Sequence, residues 1–289
     1  MRLFLAALTI TAAAFGADPA APRSFQVQIY GAGAGKPSMI LIPGLSSHGS
    51  VWDGVVAHFK DQYEMHVLTL AGFAGVPPID EPLLETVRKE LPAYIRAKKL
   101  RQPAIAGHSL GGFLALWVAS ETRGLTGRIV VVDSVPFLGQ LYAPDATAES
   151  FKPQADMMKN MMAGMTAEAW TKYQKANPAL RMMISNQADI DRATQWGLDS
   201  SQKTVIDAMY TLMVTDLREA VKKIETPVLV LGAYKGLPDP AAAMKIYQSQ
   251  YAAIRDAKLV PFENARHFIM YDDLPKMLQS MDEFLGVKK

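Results

Sequence analysis

Residues 107–111 read Gly-His-Ser-Leu-Gly and hold Ser109 between two glycines. A serine hydroxyl is too weak an acid to attack a carbonyl unaided. It becomes a nucleophile when a base lies within hydrogen-bond reach and a third group orients that base. A Gly-x-Ser-x-Gly pattern arises by chance in roughly one chain in ten of this length, and a bare serine before a helix is equally a helix cap. The flanks favour the chemical reading. Residues 103–106 are apolar and of strand length, and residues 110–119 read as a helix. A serine at such a crossing sits in a strained turn with its hydroxyl raised above the sheet. The helix behind it brings unpaired N–H groups and a positive dipole end toward any oxyanion formed there.

The base is sought among five histidines, His48, His58, His66, His108 and His267. Only His267 falls in a loop after the last strand-like run. In a parallel sheet that loop shares the carboxyl edge with Ser109, where ligands bind. His267 is therefore the candidate base. His48, with Trp52 nearby, lies close after residues 39–42 and is a candidate pocket residue, as is Tyr234.

Residues this far apart need a scaffold. Residues 24–30 alternate apolar and polar, and residues 39–42, 65–70, 103–106, 128–132, 228–232 and 257–260 are short apolar runs. Helical spacing marks residues 52–59, 83–99 with Pro92 inside, 110–119, 241–253 and 273–285. Strands alternating with helices predict an α/β fold, a mostly parallel central sheet covered on both faces. Residues 137–223 contain no strand of this kind and predict a helical cap. The cap carries Met157, Met158, Met161, Met162 and Met165. Its stripe is either packing or a deformable apolar ceiling over the site, with Met158 and Met162 as candidate substrate contacts. Residues 31–35 read as a hairpin-type loop.

Bulk properties narrow the classes. The chain has 289 residues, 49% of them hydrophobic, with a formal net charge of +2 and no cysteine. That is ample for one large core. There is no basic tract, so nucleic acid is not an expected partner. Thiol chemistry and disulfides are excluded. No Gly-x-Gly-x-x-Gly opens a helix after a strand, and no His-Glu-x-x-His occurs, so neither a dinucleotide nor a metal is expected and no cofactor is assigned. Residues 1–17 combine Arg2, a short apolar stretch and a small-residue exit, the pattern of a secretory signal peptide. The expectation is an exported protein, periplasmic or extracellular, without stable membrane insertion, and with residues 18–24 as a flexible leader.

Together, residues 42–45 (Ile-Pro-Gly-Leu), 107–111, 131–134 (Val-Val-Asp-Ser), 227–232 and 266–268 (Arg-His-Phe) resemble the α/β-hydrolase superfamily, in that family's order. The resemblance spans about residues 25–286. It implies a Ser–acid–His triad and an oxyanion hole built from the N–H groups of Leu110 and Leu45. In the family's count, where residues 39–42 are the third strand, it implies a cap inserted between the sixth and seventh strands. Many members carry an acid just past the strand ending here at Gly232, but Lys235 and Gly236 hold that place. Asp133, after the preceding strand, and Asp239 are the two alternatives, with Asp133 preferred. The expected organisation is signal peptide 1–17, core 18–136, cap 137–223 and core 224–289. The expected activity is carboxylic ester hydrolysis (EC 3.1.1) on a small ester with an apolar acyl or aromatic group. Amide hydrolysis, lactone opening or C–C bond hydrolysis, or a non-catalytic ligand-binding role on the same scaffold, are the alternatives.

Overall fold

A computed structural model describes residues 22–33, 35–235, 237 and 239–287. The expected signal peptide lies outside them. Seven strands are found among the described residues: β1 (Phe25–Tyr30), β2 (Ser38–Ile42), β3 (Glu64–Leu70), β4 (Ala104–His108), β5 (Ile129–Val132), β6 (Val228–Ala233) and β7 (Ala257–Phe262). They form one sheet in the order β1-β3-β2-β4-β5-β6-β7. β1 is antiparallel to β3 and every other pair is parallel. This is the α/β architecture expected from the alternation.

The helices of the body are α1 (Asp53–Phe59), α2 (Leu83–Ala97) and α3 (Leu110–Glu121). An inserted segment follows with α4 (Gly139–Tyr142), α5 (Ala148–Ala163), α6 (Ala167–Ala176), α7 (Pro178–Met183), α8 (Gln187–Leu198) and α9 (Gln202–Val214). The body resumes with α10 (Pro240–Tyr251), α11 (Ile269–Asp272) and α12 (Leu274–Leu285). The inserted helices stand between β5 and β6 in chain order. The numbering of a sixth and a seventh strand is corrected by one, because no strand precedes β1 among the described residues.

The continuous apolar runs follow from burial on both faces. Alternate strand residues face opposite layers. Ile40, Ile42, Ile105, Ile129, Val131, Val228 and Val230 pack with α2, α3, α9 and α10. Met39, Leu41, Ala106, Val130, Val132, Leu229 and Leu231 pack with α1 and α12. A third cluster holds the inserted segment together through Phe137, Phe151, Ala155 and Met213.

Two expectations are revised. Residues 31–35 do not close a hairpin, since β3 lies between β1 and β2. The short edge strand β1 runs back along β3, so its connection must cross to the sheet interior. The described end of the leader is also anchored. Ser24 is fully buried, and its N–H and hydroxyl both donate to Glu90 Oε2 (2.9 and 2.6 Å).

Candidate active site

β4 and β5 are adjacent, and His108 is level with Val132. The next residue on each strand is therefore Ser109 and Asp133, side by side at the carboxyl edge of the sheet. The Ser109 N–H donates to the Val132 carbonyl (2.9 Å), and the Asp133 N–H to the Leu231 carbonyl (2.8 Å). Both take a left-handed backbone, with φ of 52° at Ser109 and 50° at Asp133. Non-glycine residues adopt such angles at a cost and chiefly where the surroundings enforce them.

What enforces the turn at Ser109 is the closeness of β4 to α3. A Cβ on Gly107 would run into the Gly111 carbonyl, and one on Gly111 into the Ile42 carbonyl. Both glycines are thus required by close backbone approach. Leu110 is the first residue of α3, where N–H groups have no partner within the helix. Leu45 lies in the loop after β2, half-buried against the core. That loop is near: a Cβ on Gly44 would stand 3.3 Å from the Ser109 Cβ.

His267 arrives from the loop after β7. Its Nδ1 donates to Asp133 Oδ2 at 2.5 Å. The side chains of His267 and Asp133 are 23% and 10% exposed, so the pair is shielded yet reachable. Asp133 Oδ1 accepts from the Ala233 N–H (2.7 Å) and from the Tyr247 hydroxyl (2.8 Å). His108 ties His267 to the serine turn. Its Nε2 donates to the His267 carbonyl (3.1 Å), and the two rings lie 4.7 Å apart. Burial, with the neighbouring His267 adding to it, holds the His108 imidazole well below its ordinary pKa. A neutral ring protonated on Nε2 leaves Nδ1 bare, and that atom is buried without a partner.

Asp239 is elsewhere employed. Its Oδ1 accepts from the Ala242 N–H (2.9 Å) and caps α10. His48 is half-buried; its Nδ1 accepts from the Ser50 N–H (3.0 Å). Its ring lies 6.3 Å from Trp196 of α8, which reading the sequence did not single out.

Two of the candidate pocket residues lie inside the core. Trp52 is fully buried in the α1–α12 layer and presents no surface to a ligand. Tyr234 is also a core residue, 3% exposed, with its ring 5.9 Å from Tyr247. Burial and the charge of Asp133 push its phenol up to about 12. The direction of these two side chains is not encoded locally, because a large aromatic next to a motif in sequence turns inward as readily as outward. Met158 packs in the inserted segment's own cluster, while Met162 packs against the larger cluster that also includes Trp170, Val205 and Leu212 of the inserted helices.

The inserted segment meets the site loops at two seams. At the first, the Ser201 N–H donates to the Gly72 carbonyl (2.7 Å) and the Gly75 N–H to the Asp199 carbonyl (3.0 Å). At the second, residues flanking His267 grip the end of α7. The Phe268 N–H donates to the Met183 carbonyl (3.1 Å), and Arg266 Nη1 to the Arg181 and Ile184 carbonyls (2.5 and 3.0 Å). Asp272 accepts from the Ser185 N–H and hydroxyl (3.1 and 2.8 Å) and from the Arg266 N–H (2.9 Å). The next residue, Asp273, caps α12 instead, its side chain accepting from the Lys276 N–H.

A sequence model of the alpha/beta hydrolase family matches residues 39–277. The pimeloyl-[acyl-carrier protein] methyl ester esterase of Nitrosomonas europaea is 24% identical over 248 residues, 80% of this chain and 88% of its own. The 3-oxoadipate enol-lactonase 2 of Acinetobacter baylyi is 22% identical over 214 residues, 73% of this chain and 74% of its own. In fold, the chain is similar to a hydrolase from Pseudomonas aeruginosa, with a TM-score of 0.76 at 19% identity over 91% of this chain and 94% of that one.

Proposed function

The chain belongs to the alpha/beta hydrolase family, and from that premise we propose that it is a serine esterase acting through an acyl-enzyme. The observation that carries the reading is the Asp133–His267 hydrogen bond beside the strained turn at Ser109. Ser109 Oγ attacks the acyl carbon and His267 takes its proton. The carboxylate of Asp133 fixes the imidazole tautomer and stabilises the imidazolium that forms. The N–H groups of Leu110 and Leu45 receive the oxyanion, each worth on the order of 3 kcal/mol. His267 then protonates the leaving alcohol. It next draws a proton from water, whose oxygen attacks the acyl carbon, and passes that proton to Ser109 Oγ as the acyl–oxygen bond breaks and the acid departs.

Esters are the substrate class that the relatives' names favour, and one of those relatives is an enol-lactonase. A lactone is a cyclic ester opened by the same steps, so lactones belong beside linear esters. Export through residues 1–17 is part of the proposal, and N-terminal sequencing of the mature protein tests it.

A fluorophosphonate probe tests the reaction class. Rapid labelling of Ser109, together with loss of p-nitrophenyl acetate turnover in Ser109→Ala, is the expected result. A native chain indifferent to the probe would leave the non-catalytic binding role standing instead.

A further inference from the structure

The proposed reaction leaves a set of buried hydroxyls behind Asp133 without a task. α10 turns Tyr247 and Tyr251 inward one helical turn apart, with their rings stacked at 6.4 Å. The Tyr247 hydroxyl donates to Asp133 Oδ1 and the Tyr251 hydroxyl to the Ser134 carbonyl, both at 2.8 Å. Gln250, on the same helix, donates to the Phe137 carbonyl (3.0 Å) and accepts the Phe137 N–H (2.8 Å). α10 thus grips residues 133–137 at three points. The titratable groups facing the Asp133–His267 pair are Tyr247 and Tyr251 from α10, Tyr234 after β6 and His108 at the end of β4.

The division of labour on the carboxylate is plain. Oδ1 holds the Ala233 N–H and the Tyr247 hydroxyl, which leaves Oδ2 to His267. Two donors on Oδ1 fix the carboxylate plane and draw charge away from Oδ2. Burial raises the Tyr247 phenol well above its ordinary value, with Asp133 adding to it, so this donor keeps its proton throughout the working range.

We infer that Tyr247 is a positioning residue that sets how strongly Asp133 holds the His267 imidazole. The inference rests on the esterase reading for its consequence in turnover, though not for the contact itself. Without the phenol hydrogen, Oδ2 carries more charge and holds the protonated imidazole more tightly. The imidazole then gives up its proton only at higher pH.

Tyr247→Phe keeps the ring and removes the donor. The expected result, on p-nitrophenyl acetate, is a kcat about 10-fold lower at the pH plateau with KM unchanged. The acid limb of kcat/KM is expected to move up by about 0.5–1 pH unit. Tyr251→Phe removes a hydroxyl of the same helix that does not touch Asp133, and its limb is expected to stay in place. An unmoved limb in Tyr247→Phe, or an equal shift in Tyr251→Phe, would overturn the inference. Should Tyr247→Phe fail to fold, 3,5-difluorotyrosine placed at position 247 keeps the contact and strengthens the donor. Its limb is then expected to move down, and a limb that stays put overturns the inference.

The Nδ1 proton resonance of His267 reads the same contact without turnover, and is expected to shift in Tyr247→Phe and not in Tyr251→Phe. A shifted resonance in a chain whose Ser109 ignores fluorophosphonate would remove the esterase reading and keep the contact. A shared, unchanged resonance in a chain that labels normally would do the reverse.

Discussion

Asp133 and His267, 134 residues apart in the chain, meet side chain to side chain at 2.5 Å. Two strands, β5 and β7, deliver them, and β6 runs between those strands. The loop after β7 therefore reaches back over the end of β6, whose Ala233 N–H also binds Asp133.

That meeting separates the two acids. Asp133→Asn is expected to lower kcat by roughly 10³–10⁴-fold, because an amide holds the imidazole in the wrong tautomer. Asp239→Ala is expected to leave kcat in place and to cost about 1 kcal/mol of stability through the lost helix cap. Steady-state kinetics and urea unfolding on both variants check this. A kinetic defect in Asp239→Ala comparable with that of Asp133→Asn would refute the assignment.

The glycines beside Ser109 are required by backbone approach, and their replacement acts on folding before it acts on chemistry. Gly111→Ala must push the Ile42 carbonyl or α3 aside. A destabilisation of about 3 kcal/mol or more is expected, visible as a lower urea midpoint. Gly124→Ala makes the contrast, since a Cβ there meets nothing within 4 Å and only the positive φ of 72° opposes it. Its cost is expected to be about 1 kcal/mol.

His108 makes stability depend on pH. The unfolded chain protonates this residue near its ordinary value of about 6.5, whereas the folded chain holds it neutral far lower. The unfolded state thus binds more protons below that value, and stability must fall as pH drops below about 6.5. Each such histidine contributes at most about 1.4 kcal/mol per pH unit. His66, lowered mainly by burial, acts in the same sense. Urea unfolding of His108→Gln between pH 7 and 5 is expected to show a shallower loss than the native chain; parallel slopes would count against it.

Asp272 joins the end of α7 to the His267 loop. In Asp272→Ala the backbone amides at residues 184–186 and 266–268 are expected to exchange with deuterium faster, with kcat falling several-fold while Ser109 still labels. Unchanged exchange in both stretches would show that Arg266 and the Phe268–Met183 hydrogen bond suffice alone.

Much of the fold was legible because its signals are local. Apolar runs of strand length, alternating with helical spacing, specified a parallel sheet with two covered faces. Gly107 and Gly111 marked a crossing too tight for side chains. The hairpin reading of residues 31–35 failed because strand neighbours are chosen by pairing across the sheet, which the loop's own composition does not encode. The same holds for Trp52 and Tyr234, whose direction depends on which layer lies beneath. Tyr247 and Tyr251 did carry a signal, two tyrosines four apart on one helix, but nothing local tells a buried hydroxyl with a partner from an ordinary core aromatic.

By itself, then, the chain's sequence determined the secondary elements, the turn that lifts Ser109, and the two residue types able to serve it. Tertiary structure decided which carboxylate meets His267, that the Tyr247 hydroxyl backs that carboxylate, and that the inserted helices grip the loop beside it. The physical reason is range. Backbone sterics and hydrophobic periodicity act within a few residues, whereas a hydrogen bond between β5 and the loop after β7 exists only once the sheet has set its strand order.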